Sequence, residues 1–143
     1  MDYTIRENLH LNLFGFSGIA QNKEWVKTGF ALMDKMWARV KSAGLRNKGM
    51  NIWVYDFDNA MFAGVELDPP IENTGLEFKE IRLEKYAHCK HIGPYEKIPR
   101  TGVMVSEALK KNGIGTSLPY IEIYGHWTNN PSTLETELIW TMI

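Results

Sequence analysis

The feature that most restricts the fold of this 143-residue chain is a change of hydrophobic period that runs through the same order twice. Leu9, Leu11 and Leu13 alternate with His10, Asn12 and Phe14, the pattern of a half-buried strand. From Val26 the apolar positions move to helical spacing, through Phe30, Met33, Trp37 and Val40, with Asn22 as the expected N-cap and Gly44 at the stop. Two β-rich segments follow, Met50–Phe57 and Met61–Leu67, joined by the turn-like Asp58-Asn59 and closed by Asp68-Pro69-Pro70. The order then recurs. Phe78–Cys89 reads as a strand, and His91–Tyr95 as a turn into a helix bearing Ile98, Val105, Ala108 and Leu109 on its apolar face. Asn112-Gly113 stops that helix, and Pro119–Tyr124 and Leu134–Met142 are the last strands. No Gly/Ser or charged linker separates the units, at about residues 1–70 and 75–143. The expectation is one α+β domain over 1–143, two strand-helix-strand-strand repeats related by a pseudo-two-fold axis.

Charge narrows the partners. Lys and Arg number 16 against 17 Asp and Glu, a formal net charge of −1. Residues 1–72 hold eight basic and nine acidic side chains, and the remainder hold eight of each. A nucleic-acid surface needs a basic patch or helix, so no direct nucleic-acid binding is expected. Cys89 is the single cysteine, no apolar run reaches membrane-spanning length, and the first residues are polar. A cytoplasmic protein with no membrane contact is the expectation.

Aromatic residues make up 12% of the chain, and their positions matter more than their number. In Met50–Phe57, Ile52 and Val54 alternate with Trp53 and Tyr55; in Pro119–Tyr124, Ile121 and Ile123 alternate with Glu122 and Tyr124. With the Ile/Val face packed under the helices, the opposite, uncovered face collects Trp53, Tyr55, Glu122 and Tyr124. Three aromatics and a carboxylate suit a binding groove better than a solvated surface. A minor second core or a homodimer interface is the competing use of that face.

Several motifs together resemble a known family. They are Tyr86–Pro99 (YAHCKHIGPYEKIP), Lys111–Gly113 (KNG), Pro119–Gly125 (PYIEIYG) and Leu134–Leu138 (LETEL). Phe14–Gly18 (FGFSG) and Ala63–Glu66 (AGVE) match more loosely. In combination the chain resembles the GyrI-like effector-binding domains over nearly its whole length. The resemblance implies antiparallel sheets with helices on one side and a ligand cleft on the other. It also implies a stand-alone relative of the ligand-sensing parts of AraC-type and MerR-type regulators, linked to transcriptional regulation or to drug and toxin response in bacteria, with multidrug binding as its theme.

By that resemblance Glu122 matches the family's cleft carboxylate, and it would face a cation in an aromatic-lined site. Trp53, Tyr55 and Tyr124 would supply ring faces, and Tyr95, after the Gly-Pro turn, would reach the cleft. Such domains often carry a proline near the end of the last strand, where this chain has Ile139-Trp140-Thr141. Trp140 is therefore expected to close or reshape one end of the cleft. Trp127 is a further candidate, and Phe16, with Phe14, lies on the face opposite the leucines and would floor the groove. Glu137 and Glu66 are weaker candidates for a second acid, since solvated strand-edge residues are the commoner case.

No cofactor or metal is expected. On a strand Cys89 and His91 share a face while His88 points away, so two ligands converge where structural zinc needs four. Asp56-x-Asp58-Asn59 lacks the glycine and distal glutamate of a calcium loop and reads as a hairpin turn. Gly29 and Gly102 interrupt the two helices, for which a close approach of helix to sheet is the expected reason.

The leading expectation is a small-molecule-binding protein, a sensor or sequestering agent for a hydrophobic organic ligand, with a cationic one as the narrower reading. The alternative implied by the family is a hydrolase of electrophilic alkylating natural products, with Glu122 as base and Tyr95 or Tyr124 as hydrogen-bond donor. An inhibitor of a larger partner such as gyrase ranks third.

Overall fold

The computed structural model describes residues 2–143. Its order is β1 (Thr4–Ile19), α1 (Trp25–Ser42), β2 (Asn51–Tyr55), β3 (Ala60–Val65), β4 (Glu77–Ile92), α2 (Ile98–Lys111), β5 (Thr116–Tyr124) and β6 (Glu135–Met142). Every strand pair is antiparallel, and the strands close into a barrel in the order β1-β3-β2-β5-β6-β4. The chain's first three strands are therefore adjacent, as are its last three. The halves join along β2·β5 and β1·β4, and β1 pairs with β4 from Thr4↔His88 to Gly15↔Glu77. That long pairing explains why both strands outrun their apolar alternation.

The barrel interior is filled from all of the strands: Leu11, Leu13, Ile52, Val54, Phe62, Ile81, Leu83, Tyr86, Ile121, Ile123 and Ile139 form one buried cluster. Burying side chains of this kind stabilises by about 1.5–3 kcal/mol each. The Ile/Val face of β2 and β5 thus points to the barrel axis rather than under the helices, which corrects the sequence expectation. Closure leaves the helices only the outside to cover. Met36 and Val40 of α1 pack on Phe14, Val65 and Leu67, and Ile98, Val105 and Leu109 of α2 pack on Ala87, Cys89, Leu138 and Trp140. The outer face that carries Trp53 and Glu122 is therefore the face on which both helices lie. The expected cleft on the side away from the helices is replaced by a furrow between them.

Local chemistry sets the ends of the elements. Both helices stop in a Schellman arrangement: Gly44 (φ +62) and Gly113 (φ +70) take left-handed backbone, while Leu45 N–H donates to Val40 O (3.0 Å) and Ile114 N–H to Leu109 O (2.9 Å). Asn22 is not the N-cap of α1. It sits at φ +54 in a short 3-10 turn, Gln21–Lys23, and Glu24 precedes the helix without a side-chain cap. Asp56-x-Asp58-Asn59 does form the β2–β3 turn, with Asp56 Oδ1 accepting from Phe57 N–H at 2.9 Å. Gly29 is required by close approach, since a Cβ there would lie 2.3 Å from the Trp53 ring. Gly102 has nothing within 4 Å, so the same explanation fails for it.

Candidate functional site

Period two on β2 and β5 builds the floor of the furrow. Trp53 lies directly across the ladder from Glu122, Tyr55 from Tyr120, and Asn51 from Tyr124. Side chains two apart on one strand share a face, so Tyr120, Glu122 and Tyr124 stand in a row beside Trp53 and Tyr55. Between this floor and the two helices lies a cavity of about 580 Å³. Val26, Phe30 and Met33 of α1 form one wall. Tyr95 and Glu96 of the turn before α2, with Ile98 and Pro99 of α2, form the other. Gly49, Gly125 and Trp127 complete the lining, and Trp127 is 71% exposed at the mouth.

Glu122 is the polar centre of this space and is 7% exposed. Its Oε1 accepts from the hydroxyls of Tyr55 (3.1 Å) and Tyr124, and its Oε2 accepts from the hydroxyl of Tyr120 at 2.8 Å. Burial, then the neighbouring Glu122 carboxylate, hold all three phenols well above the usual tyrosine range, so they remain donors. Burial alone raises Tyr95. The carboxylate is thus held by hydroxyls rather than by a cationic side chain. No Lys, Arg or His borders the cavity among the described residues, whereas Glu122 and Glu96 both do.

Ring contacts link the walls to the floor. Phe30 meets Trp53 edge-on at 5.5 Å, Trp53 meets Tyr124 at 5.5 Å, and Tyr124 meets Tyr95 at 5.7 Å. Asn51 is pinned by the Trp37 indole N–H donating to its Oδ1, which ties α1 to the floor. On the far wall His91 is buried beneath the turn that carries Tyr95. Its Nε2 lies 3.1 Å from the carbonyl of Pro94 and its Nδ1 2.8 Å from the Thr101 hydroxyl. A carbonyl only accepts, so Nε2 carries the proton and the ring clips the Gly93-Pro94-Tyr95 turn onto α2.

Of the residues singled out from sequence, Glu122, Trp53, Tyr55, Tyr124, Tyr95 and Trp127 border the cavity. Phe16 and Trp140 do not. Phe16 packs beneath α1, with Lys35 Nζ 4.1 Å from its ring centroid. Trp140 is buried under α2, 5.2 Å from the Tyr120 ring. Glu66 pairs with Lys48 (3.4 Å), and Glu137 accepts from His88 Nε2 (2.7 Å), both outside the lining. His88, Cys89 and His91 do not converge, and no group of three or more His, Cys, Asp or Glu side chains stands together as ligands would among the described residues. Sequence reasoning missed Val26, Phe30, Met33 and Ile98, which read as core, and also Asn51, Glu96 and Tyr120. Only Tyr120 had a usable signal, its two-residue spacing from Glu122.

No helix among the described residues is long and apolar enough to cross a membrane. A search of curated proteins gives no sequence match. Solved structures do match the fold. The EcmrR C-terminal domain aligns with a TM-score of 0.75 at 16% identity, covering 99% of this chain and 97% of that one. SAV2435 bound to tetraphenylphosphonium aligns at 0.67 and 16% identity, covering 100% and 94%. A hydrolase from Listeria innocua aligns at 0.58 and 11% identity, covering 99% and 91%. The GyrI-like small molecule binding domain family matches residues 1–142, and the chain belongs to that family.

Proposed function

We propose that the furrow between α1 and α2 binds a hydrophobic organic cation and that the whole chain acts as one ligand-sensing or ligand-sequestering unit, its two strand-helix-strand-strand halves related by a pseudo-two-fold axis. The observation that carries this reading is the charge of the lining: a buried carboxylate, a second carboxylate at the rim and, among the described residues, no cationic side chain, set among aromatic rings. A cation there meets ring faces worth about 0.5–2 kcal/mol each and a carboxylate in a low-dielectric setting. The volume suits a drug-sized molecule. SAV2435, which shares the fold, is bound to tetraphenylphosphonium, and EcmrR, whose C-terminal domain shares it, is also solved in a complex with DNA, which supports a link to regulation.

The test is a titration of tetraphenylphosphonium and of a neutral aromatic of similar size, followed by intrinsic tryptophan fluorescence, to which Trp53 and Trp127 contribute from the lining, at fixed salt. Wild type binds the cation more tightly, and Glu122→Gln lowers that affinity roughly tenfold or more while sparing the neutral compound. Equal affinities in wild type and Glu122→Gln would remove Glu122 from the site.

The hydrolase reading has one observation of its own, the Tyr124 hydroxyl donating to a cavity-facing carboxylate in a fold shared with a protein named as a hydrolase. It is the weaker reading because most of the lone pairs of Glu122 already accept from tyrosines, which leaves little room to activate water. Product formation from an electrophilic strained-ring compound, abolished in Glu122→Gln, would reverse the ranking.

A further inference from the structure

We propose that Tyr120, which does not border the cavity, is a specificity-determining residue: by holding Glu122 from behind it makes the furrow select aromatic cations that carry no N–H over protonated amines. The inference rests on the cation-site reading above.

An ionised carboxylate offers about four lone-pair sites. Here three hydroxyls occupy them: Tyr55 and Tyr124 on Oε1, and Tyr120 on Oε2 at 2.8 Å. About one site remains for a ligand. A primary ammonium brings three N–H donors and a guanidinium five. The other oxygens beside the carboxylate are phenolic; their hydrogens point at it, and as neutral oxygens they accept from a charged N–H more weakly than the carboxylate does. Each N–H that exchanges water for a weaker acceptor, or for none, weakens binding. A quaternary ammonium, phosphonium or N-alkylpyridinium asks for no acceptor. Its charge is spread over carbon atoms, which rest against Trp53, Tyr124 and Phe30.

Tyr120 is the member of the trio set apart from the ligand. Its ring is wedged between Tyr55 at 5.6 Å and Trp140 at 5.2 Å, which fixes the hydroxyl against Oε2. Trp140 therefore bears on the site through Tyr120 and not by contact with the ligand.

The experiment compares (1-naphthylmethyl)ammonium with its N,N,N-trimethyl analogue, by calorimetric titration at neutral pH and fixed salt, on wild type and Tyr120→Phe. The extra methyl groups contribute equally in both proteins, so the change in the affinity ratio between them isolates the acceptor count. Wild type is expected to favour the trimethylated cation by about tenfold. Tyr120→Phe frees a lone pair on Oε2 and narrows the ratio several-fold, mainly by tighter binding of the ammonium. A ratio unchanged in Tyr120→Phe, with both affinities moving together, makes Tyr120 merely structural and overturns the proposal. A wild type that binds the ammonium as tightly as its analogue overturns it whatever the variant does, while leaving the cation site standing. Binding of neither compound overturns the site itself.

Discussion

A Cβ placed on Gly29 would lie 2.3 Å from Cζ3 of Trp53, so α1 rests on the indole that floors the furrow. Gly29→Ala therefore sets two effects against each other. Helix propensity gains about 1 kcal/mol, and overpacking against a large ring costs about 1–3 kcal/mol. The second wins, because the ring is buried against Met33, Met61 and Ala63 and has little room to yield. A net loss of up to about 2 kcal/mol in urea unfolding is expected, with weaker ligand binding as Trp53 is pushed into the cavity. Gly102→Ala is the control: with nothing within 4 Å it should stabilise by about 0.5–1 kcal/mol. Equal responses at the two glycines would refute the contact argument.

The tyrosines around Glu122 predict an alkaline limit to stability. Burial first, then the Glu122 carboxylate, raise Tyr55, Tyr120 and Tyr124 above the ordinary phenol value of about 10. Unfolded, these groups ionise near that value; folded, they keep their protons. The native state then binds more protons than the unfolded one, so their contribution is complete below about pH 10 and is lost as the pH rises further. In a pH titration, part of the phenolate absorbance should stay missing until far-UV circular dichroism reports unfolding. Full phenolate amplitude in a protein with native dichroism would sink this prediction.

Cys89 tests the packing of α2. Its thiol lies beneath that helix with Leu138 and Trp140, and burial raises its pKa. Both a covered sulfur and a scarce thiolate slow alkylation. Reaction with iodoacetamide in mildly alkaline buffer should be slow in native protein and fast in denaturant. Val105→Ala, which removes a fully buried neighbour, should quicken it by loosening α2. Native and denatured rates that coincide would mean that the helix does not cover the sulfur.

Particular residues show how much could be read in advance. Alternation on β2 and β5 separates Ile52, Val54, Ile121 and Ile123 from Trp53, Tyr55, Glu122 and Tyr124, and the two sets do take opposite faces. Period two is symmetric, however. It does not say which face turns inward, because that follows from barrel closure through β1·β4 and β2·β5, pairings between residues far apart in sequence. Phe16 and Trp140 were misplaced for the same reason: each is on the outer face, but a helix covers it. Glu96 carries no pattern of its own and becomes visible only once the turn before α2 is set against β5.

The helical stripe of α1 shows the same limit, and it yields the sharpest contrast between folding and binding. Val26, Phe30, Met33, Trp37 and Val40 read as one core-facing stripe, since periodicity reports apolar character and not what covers it. In the structure Val40 is buried, while Val26 is 63% and Phe30 51% exposed on the cavity wall. Met36, outside the stripe, is the fully buried residue of that helix, at 0%. Phe30→Ala should therefore change stability by about 1 kcal/mol or less, because most of its loss is an edge contact with Trp53 that is already half-solvated. The same substitution should weaken binding of an aromatic cation several-fold, by removing one ring from the wall. Met36→Ala should do the opposite, costing about 2–5 kcal/mol of stability and leaving the affinity of the remaining folded protein close to wild type. Urea unfolding and calorimetric titration of both variants check the pair. Parallel losses in the two measurements would show that α1 is a structural helix throughout and that its N-terminal half forms no part of the binding wall.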